Sequence, residues 1–278
     1  MTESFQDWCT NPKKRTLVMG IVNVTPDSFS DGGKYYAPIK AIDFAFKLIN
    51  EGADIIDIGG ESTRPGADKV SCSEELKRVI PVIEGIRSNN NKILISIDTT
   101  KSMVAKEAVE AGANIINDVS GLSFDNHMPK TIAQLKAPVI IMHMKGNPSN
   151  MQENPKYKDV IDEIITYFKE KINIAINSGI DREMIILDPG IGFGKTVEHN
   201  FKILSELDRF NNLELPLLIG PSRKSFIGLT LDLPPEDRLD GTAATVAVGV
   251  NNGARIVRVH DVKNMKRVAI IADKIRNA

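Results

Sequence analysis

Short runs rich in β-branched residues recur eight times along the chain and alternate with longer stretches of helical spacing. These runs are TLVMGIVN, ADIIDIGG, KILISIDT, ANIINDVS, APVIIMH, MIILDPG, LPLLIG and ARIVRVH. Each run is mostly apolar rather than alternating, which is typical of parallel strands buried on both faces. Regular alternation of such strands with helices predicts βα units. Eight βα units in 278 residues indicate an α/β fold, a single-domain TIM (β/α)8 barrel.

Helical spacing predicts the segments that connect the strands. The predicted helices span 39–51, 73–88, 101–111, 156–178, 199–210, 239–251 and 261–276, with a weaker one near 126–134. Three helices end near Gly52, Gly112 and Gly253, and glycine commonly ends a helix. An open, doubly wound sheet is the alternative arrangement of the same elements. No linker is evident, so we expect residues 16–278 to form the barrel after an N-terminal extension, 1–15.

Composition limits the classes of partner. The 35 Lys and Arg nearly balance the 36 Asp and Glu, so a net charge of −1 gives no global attraction for nucleic acid or acidic membranes. The two cysteines, Cys9 and Cys72, do not form a disulfide framework or a metal motif. The N-terminus lacks an apolar signal segment, and no apolar run approaches the length of a membrane span. We therefore expect a cytoplasmic protein that binds neither nucleic acid nor membrane.

Polar residues lie at the predicted carboxyl ends of the strands, where TIM barrels hold their active sites. They are Asn23, Asp98, Asn117, Asp118, His143, Asp188, Arg258 and His260, with Glu61–Arg64 after the second strand and Ser222–Lys224 after the seventh. Polar residues end many strands simply because loops are solvated. Several of these, however, lie within the strands themselves, and Arg258 is costly to bury in an apolar strand unless it meets an anion. The pattern therefore favours a functional site at this end of the barrel.

The stretch LDPGIGFGKT, residues 187–196, looks at first like a phosphate loop. Pro189 stands where the Walker motif needs its first glycine, and Lys195 stands at the last position of GxGxxG, so neither spacing matches. We interpret the stretch as a βα loop whose glycines let the backbone pass close to a ligand. Phe193 in this loop is either exposed, where it would stack on a flat ring, or buried.

The stretch GPSRKSFIG, residues 220–228, follows the seventh predicted strand. Ser222 is a candidate helix N-cap, and a helix start offers free N–H groups to an anion. Arg223 and Lys224 add positive charge. A solvated basic turn is the alternative, but TIM barrels often hold phosphate after strands seven and eight, and this position favours an anion site.

These motifs together resemble the dihydropteroate synthase family over nearly the whole chain. GIVNVTPDSFSDGG (20–33) and DIIDIGGESTRPGA (54–67) are similar to the family's two signatures, and SIDT, INDVSG, DPGIGFGK, GPSRKSFIG and VRVHDV follow in the family's order. The resemblance implies a TIM barrel, usually a homodimer, with transferase activity. It would join 6-hydroxymethyl-7,8-dihydropterin diphosphate to para-aminobenzoate, giving 7,8-dihydropteroate and diphosphate for folate biosynthesis. It also implies Mg²⁺ as cofactor and sulfonamides as competitors of para-aminobenzoate.

The resemblance also assigns site residues. For the pterin it implies Asp98, Asn117, Met142, Asp188, Lys224 and Arg258; for the diphosphate, Asn23, Thr63, Arg258 and His260; for para-aminobenzoate, Thr63, Arg64, Pro65, Phe193 and Ser225. Asn23, Lys224, Arg258 and His260 would be catalytic, with Asn23 also near the metal. The chemistry fits, because Asp188 can accept two hydrogen bonds from an amidine-like edge. Asn117 offers both a donor and an acceptor to the mixed edge.

We expect a dissociative, carbocation-like displacement in which diphosphate leaves before the aromatic amine attacks, with no covalent enzyme intermediate. The long loop 25–33 would close over the substrates with residues 63–66, and Asp31 would approach the metal or the diphosphate. Two rival functions remain open. A methyltetrahydrofolate-binding methyltransferase would share the pterin pocket but needs no diphosphate site. A catalytically silent paralogue would bind pterin without turnover.

Overall fold

The computed structural model describes residues 5–25, 36–62, 69–147 and 151–278. Its eight parallel strands close into a barrel, in which each strand pairs with the next and β1 pairs with β8. The strands are β1 Leu17–Asn23, β2 Ile55–Gly59, β3 Leu94–Asp98, β4 Ile115–Asp118, β5 Val139–Met142, β6 Ile185–Asp188, β7 Leu217–Ile219 and β8 Ala254–Val259. The predicted TIM barrel is confirmed, and the open sheet is excluded.

The described helices are α1 Phe5–Thr10, α2 Tyr36–Asn50, α3 Cys72–Asn89, α4 Ser102–Glu110, α5 Met128–Leu135, α6 Val160–Asn177, α7 Val197–Ser205, α8 Ser225–Leu231, α9 Leu239–Asn251 and α10 Val262–Arg276. Helices α2 to α9 lie between the strands in the chain, whereas α1 precedes β1 and α10 follows β8. Short 3-10 segments occur at Arg182–Met184, Leu207–Leu213 and Pro235–Asp237. Gly52, Gly112 and Gly253 follow helices with φ of +102°, +117° and +110°, so the predicted glycine helix ends are confirmed.

Several predicted helices have different limits in the structure, and capping explains the new starts of two of them. Helix α6 begins after Asp159, whose side chain accepts hydrogen bonds from two N–H groups of the first turn, so residues 156–159 lie outside it. Helix α7 begins earlier than predicted, because Thr196 caps it and exchanges hydrogen bonds with His199. It also ends earlier, at Ser205, and a 3-10 segment follows.

The inner face of the barrel is divided into an apolar floor and a polar mouth. The floor consists of Leu17, Met19, Ile55, Ile115, Ile140, Ile186, Leu218 and Ile256, packed with Trp8 and Cys9 of α1. Because side chains alternate along a strand, residues two positions beyond the floor also point inward. Those residues include Asp57, Asn117, Met142, Asp188 and Arg258. Strand geometry alone therefore brings polar side chains from several distant parts of the sequence to one place.

Asp54, just before β2, joins the start of the barrel to its last helix. Its carboxylate accepts two hydrogen bonds from Arg15 at 2.8 and 2.6 Å, one from Lys266 at 2.7 Å and one from the Val18 N–H at 2.9 Å. Burial raises the pKa of Asp54, but these hydrogen bonds outweigh it and hold the pKa below its usual range. The ionised carboxylate is therefore a stabilising group.

No described helix is long and apolar enough to cross a membrane. The boundary between the N-terminal extension, residues 1–15, and the barrel, residues 16–278, stays a prediction.

We expect Asp54→Asn to lower the free energy of unfolding by about 1–3 kcal/mol at pH 7, because it removes the charge that three partners share. The folded-state pKa of Asp54 is depressed, so its contribution is complete above the unfolded-state pKa and disappears as pH falls through the folded-state value. Denaturant titrations between pH 7 and pH 3 should therefore show the wild-type advantage shrinking only below about pH 4.

Asp162→Asn is the matched control for this experiment. Asp162 lies 2.6 Å from the Arg209 guanidinium, but its side chain is 65% exposed. Exposed ion pairs contribute little, so this variant should stay within about 1 kcal/mol of wild type. Equal losses in the two variants would show that burial does not strengthen the Asp54 ion pairs.

Candidate active site at the barrel mouth

Six charged or amide side chains meet at the carboxyl ends of the strands. They are Asp57, Asp98, Asn117, Asp188, Lys224 and Arg258, and we call them the mouth cluster. Asp57, Asn117 and Asp188 are buried, whereas the other three are partly exposed. All but Asp57 were predicted as site residues, so the structure brings the predicted pterin set together around one additional carboxylate. Met142, also predicted, is buried at the end of β5.

Arg258 is held between two carboxylates from neighbouring strands. Its Nε donates to Asp57 Oδ2 at 2.6 Å, and its Nη2 donates to Asp98 Oδ2 at 2.8 Å. Burial lowers the pKa of Arg258, but the charges of Asp57 and Asp98 outweigh it and raise the pKa, so the guanidinium stays charged. The anion that an arginine in an apolar strand requires is thus supplied by the protein itself.

The two partly ionised carboxyls of the cluster are Asp98 and Asp188. Burial raises the pKa of Asp98 to about 7, against the opposing charge of Arg258. Burial likewise raises the pKa of Asp188 to about 6, opposed by a 2.7 Å hydrogen bond from the Gly190 N–H and by the charge of Lys195. Acidic groups that titrate near neutral pH inside a cluster of opposite charges are typical of functional sites.

The loop after β6 follows a path that only glycine can take. Gly190, Gly192 and Gly194 have φ of +70°, +82° and +62°. A Cβ on Gly190 would collide with the His143 carbonyl oxygen, and one on Gly194 would collide with the Lys145 carbonyl oxygen. Sequence analysis interpreted these glycines as letting the backbone pass close to a ligand. In this structure, Gly190 and Gly194 instead let the loop after β6 pass close to the loop after β5.

Lys195 holds these two loops together, and sequence analysis did not identify it as a site residue. The side chain is 3% exposed, and its Nζ donates to the Phe193 carbonyl at 2.9 Å and lies 3.0 Å from His143 Nδ1. Burial lowers the pKa of Lys195 to about 7, and burial keeps His143 neutral by lowering its pKa to about 2. The sequence feature that could have identified Lys195 is its position directly after the third glycine of the loop that follows β6.

Phe193 is neither fully exposed nor buried. The Lys224 ammonium lies 4.0 Å from its ring centroid, in a cation–π contact. Burial, followed by the charge of Arg258, lowers the pKa of Lys224 to about 8. Ser225, predicted for para-aminobenzoate, is exposed at the first position of α8.

Ser222 does not cap α8, which corrects the sequence-based interpretation. The residue before the helix is Lys224, and Ser222 instead contacts His260, with Oγ 3.0 Å from Nδ1. Burial and the charge of Arg258 lower the pKa of His260 to about 4, so its ring is neutral at pH 7. Arg223 is bound to Asp261 at 2.6 Å, which takes it away from the anion site predicted for this loop.

Three predicted site residues, Thr63, Arg64 and Pro65, lie outside the described residues. The two loops predicted to close over the substrates also lie outside them, except for residue 25 of loop 25–33; Asp31 is in the part that is not described. Asn23 is the last residue of β1 and is half-buried. Among the residues that the structure describes, no group of three or more His, Cys, Asp or Glu side chains is arranged to hold a metal ion.

A known protein family matches most of the chain. The family described as "Pterin binding enzyme" matches residues 19–260. That range contains β2 to β8 in full, all of β1 except its first two residues, and the whole mouth cluster. The chain therefore belongs to the pterin-binding enzyme family.

Curated relatives show to which group of pterin-binding enzymes the chain belongs. The chain is 50% identical over 263 residues to the dihydropteroate synthase of Synechocystis sp., a match covering 94% of this chain and 91% of that protein. It is also 50% identical over 265 residues to the dihydropteroate synthase of Bacillus subtilis, covering 95% and 90%. Within its family the chain belongs with the dihydropteroate synthases, which are transferases of folate biosynthesis.

Solved structures agree in fold over nearly the full length. A Yersinia pestis dihydropteroate synthase with a sulfonamide drug complex has a TM-score of 0.90 and 43% identity, covering 96% of both chains. The Xanthomonas albilineans enzyme with 4-aminobenzoic acid has a TM-score of 0.89 and 42% identity, covering 96% of this chain and 95% of that one. The same enzyme with 7,8-dihydropteroate has a TM-score of 0.86 and 40% identity, with the same coverage.

The lowered pKa of Lys195 predicts a pH dependence of stability. Between about pH 7 and the usual lysine range, the unfolded chain binds a proton that the folded chain has released, so folding becomes more favourable as pH rises. We expect wild type to gain about 2 kcal/mol relative to Lys195→Met between pH 7 and pH 9, measured by denaturant unfolding.

Lys202→Met is the control for this titration. Its ammonium is bound to Asp159 at 2.7 Å, and this hydrogen bond raises the pKa of Lys202, so the group stays protonated in both states from pH 7 to pH 9. The difference between wild type and Lys202→Met should be flat over that interval. An equally flat difference for Lys195→Met would mean that Lys195 keeps its proton when buried.

Proposed function

We propose that the mouth cluster binds 6-hydroxymethyl-7,8-dihydropterin diphosphate and that the protein joins it to para-aminobenzoate, forming 7,8-dihydropteroate and diphosphate. One observation carries this proposal: carboxylates, an amide and two cations from six of the eight strands, or from the loops after them, converge in one barrel mouth. The carboxylates and the amide match the hydrogen-bonding edge of a pterin, and the Arg258 guanidinium matches a diphosphate. The synthase structures holding 4-aminobenzoic acid and 7,8-dihydropteroate support the same substrates.

Asp188 and Asn117 are the proposed recognition groups for the pterin ring. A carboxylate can accept two hydrogen bonds from the amidine-like edge, and an amide can donate and accept at once. Met142 would contact the ring from the end of β5, and Lys224 and Asp98 would complete the pocket. The low exposure of Asp188 and Asn117, 6% and 3%, supports this role because buried acceptors discriminate strongly between ligands.

Asn23, Arg258 and His260, with Thr63, are the proposed diphosphate group. A guanidinium carries five N–H donors, and the hydrogen bonds to Asp57 and Asp98 use two of them, so Arg258 keeps donors for a phosphate. Its planar group would also lie against the pterin. Neutral His260 can donate one hydrogen bond without adding charge beside Arg258.

The residues near Asn23 fit a hard divalent cation such as Mg²⁺. Gly59 leaves space beside the end of β1, where an added Cβ would lie 3.7 Å from Asn23 Oδ1 and 3.8 Å from Asp98 Oδ2. Both are oxygen donors, and Mg²⁺ commonly takes one or two protein oxygens together with substrate phosphates. Asn23 would hold the ion, which when bound would neutralise part of the diphosphate charge.

The proposed reaction is a dissociative displacement at the pterin methylene carbon. The bond between that carbon and the diphosphate oxygen breaks, and its electron pair leaves with the diphosphate, whose growing charge Arg258 stabilises. The methylene carbon becomes cationic, and the amine nitrogen of para-aminobenzoate then attacks it and loses a proton. Phe193 would pack against the aminobenzoate ring and Ser225 would approach its carboxylate, with Thr63, Arg64 and Pro65 completing this subsite. Sulfonamides would compete there.

We further propose that the protein acts as a cytoplasmic homodimer without nucleic-acid or membrane partners. Apolar side chains on adjoining helices α9 and α10 support association with a second copy. Val248, Ile271 and Ile275 are 46%, 61% and 65% exposed. Contiguous exposed apolar surface of this kind commonly marks a protein interface.

The function is tested by measuring diphosphate release and dihydropteroate formation from both substrates with Mg²⁺, omitting each component in turn. We expect both products only in the complete mixture. Pterin binding without turnover would instead support the silent paralogue or the methyltransferase, and a corrinoid-protein methyl-transfer assay would separate those two.

Pterin affinity should depend on the ionisation of Asp188. Because a protonated carboxyl loses acceptor capacity, we expect affinity for 7,8-dihydropteroate to fall as pH drops through about 6. Asp188→Asn should weaken binding by roughly 10- to 100-fold, from the loss of charge-assisted hydrogen bonds, and remove the pH dependence centred near pH 6, whereas a dependence due to Asp98 near pH 7 should remain. Isothermal titration between pH 5 and pH 8 measures both effects, with Asp162→Asn as the control. Unchanged affinity in Asp188→Asn would exclude this residue as the pterin acceptor.

A further inference from the structure

Asp57 lies within the motif DIIDIGGESTRPGA (54–67), but it is the one member of the mouth cluster to which sequence analysis assigned no role. It lies in the middle of β2, two residues beyond Ile55 of the apolar floor, and its side chain is completely buried. It pairs with Ser96 on β3, two residues before Asp98, and so lies deeper in the barrel than that partly exposed carboxylate. A ligand at the mouth would meet its neighbours first.

A single oxygen of Asp57 holds two of the proposed pterin ligands. Oδ2 accepts a 2.6 Å hydrogen bond from Arg258 Nε and a 3.3 Å hydrogen bond from Asn117 Nδ2. These partners belong to β8 and β4, which are not neighbours of each other in the barrel. Asp57 is thus a common anchor for two side chains that would contact different parts of the substrate.

Both contacts fix orientation as well as position. The guanidinium is planar, so bonds at Nε to Asp57 and at Nη2 to Asp98 define the plane of Arg258. An ionised carboxylate only accepts hydrogen bonds, so the amide nitrogen of Asn117 must face Asp57. The amide oxygen of Asn117 is then left as an acceptor for a ligand.

Burial of Asp57 costs folding free energy, and a stabilising role alone does not explain why the residue is there. Its other oxygen, Oδ1, is buried without a hydrogen-bond partner among the described residues, and so is the hydroxyl of Ser96, the residue paired with Asp57 on β3. A buried carboxylate with unsatisfied acceptor capacity costs folding free energy. Departures of this kind are expected where a residue serves function.

We propose that Asp57 is a positioning residue for the synthase reaction: it fixes the plane of Arg258 and the amide orientation of Asn117 for the dihydropterin substrate. This inference rests on the proposed function of the mouth cluster. Asp57 acts through its two partners and does not itself contact the substrate.

Asp57→Ala removes the anchor, and Asp57→Asn keeps an acceptor of the same shape without the charge. We expect kcat/KM for the dihydropterin diphosphate to fall by roughly 100-fold in Asp57→Ala, since small misplacements of this kind have that effect. Asp57→Asn should recover about tenfold of this loss. KM for para-aminobenzoate should change by less than about twofold in both, because its subsite uses other residues. Ser96→Ala, which removes the neighbouring buried hydroxyl, is the matched control and should behave as wild type.

A double-mutant cycle tests whether Asp57 acts through Arg258. The affinity for 7,8-dihydropteroate is measured by calorimetry in wild type, Asp57→Ala, Arg258→Lys and the double variant. We expect Asp57→Ala to weaken binding at least threefold less in the Arg258→Lys background. Additive effects, or equal loss of kcat/KM in Asp57→Ala and Ser96→Ala, would overturn the proposal.

Folding and function are separated within the same experiment. Thermal unfolding of each variant comes first, and a loss of activity that only follows the folded fraction of both Asp57 variants would assign Asp57 a structural role and overturn the proposal. Wild-type turnover tests the synthase activity itself. If wild type binds 7,8-dihydropteroate but makes none, the proposed function fails, and the cycle on affinity still tests the positioning role.

Discussion

Closure of eight parallel strands is the constraint on which the rest of this structure depends. Closure gives every strand an inner face, and the two-residue alternation of side chains then decides which residues share the interior. On β2, Ile55 and Asp57 lie on the same face of the strand, with Ile55 in the apolar floor and Asp57 in the mouth. On β8, Ile256 and Arg258 are arranged in the same way. A single geometric rule thus produces a packed core at one end of the barrel and a charged site at the other.

The charges of the mouth cluster are stabilised mainly by one another. Arg258 lies between Asp57 and Asp98, and burial raises the pKa of Asp98 to about 7 despite that contact. Lys224 is near enough to Arg258 for repulsion to help lower its pKa to about 8. Several groups therefore change charge within a narrow pH range around neutrality.

Local pattern was sufficient for the barrel, the order of its elements and most of the mouth cluster. Asp98, Asn117, Asp188 and Arg258 could be predicted because they lie within strands that are otherwise mostly apolar. Asp57 lies in the same kind of strand, but its role depends on partners from β4 and β8 that only the closed barrel brings together. The prediction that Ser222 caps a helix was wrong for a related reason. The Ser222 hydroxyl contacts His260, which is distant in the sequence, and not the nearby start of α8. Pattern identifies inward polar residues, whereas tertiary geometry decides which of them touch.

The loops at the mouth follow the same division between local sequence and tertiary contact. Gly190 and Gly194 are required because their positive φ and close approach to the loop after β5 exclude side chains there. Lys195 then crosses the same gap, with its ammonium beside His143 and the Phe193 carbonyl. The backbone of Phe193 is thus held by Lys195, and the Lys224 ammonium lies 4.0 Å from the centroid of its ring. Both contacts restrict the side chain, and a restricted group loses less conformational entropy when it takes part in binding.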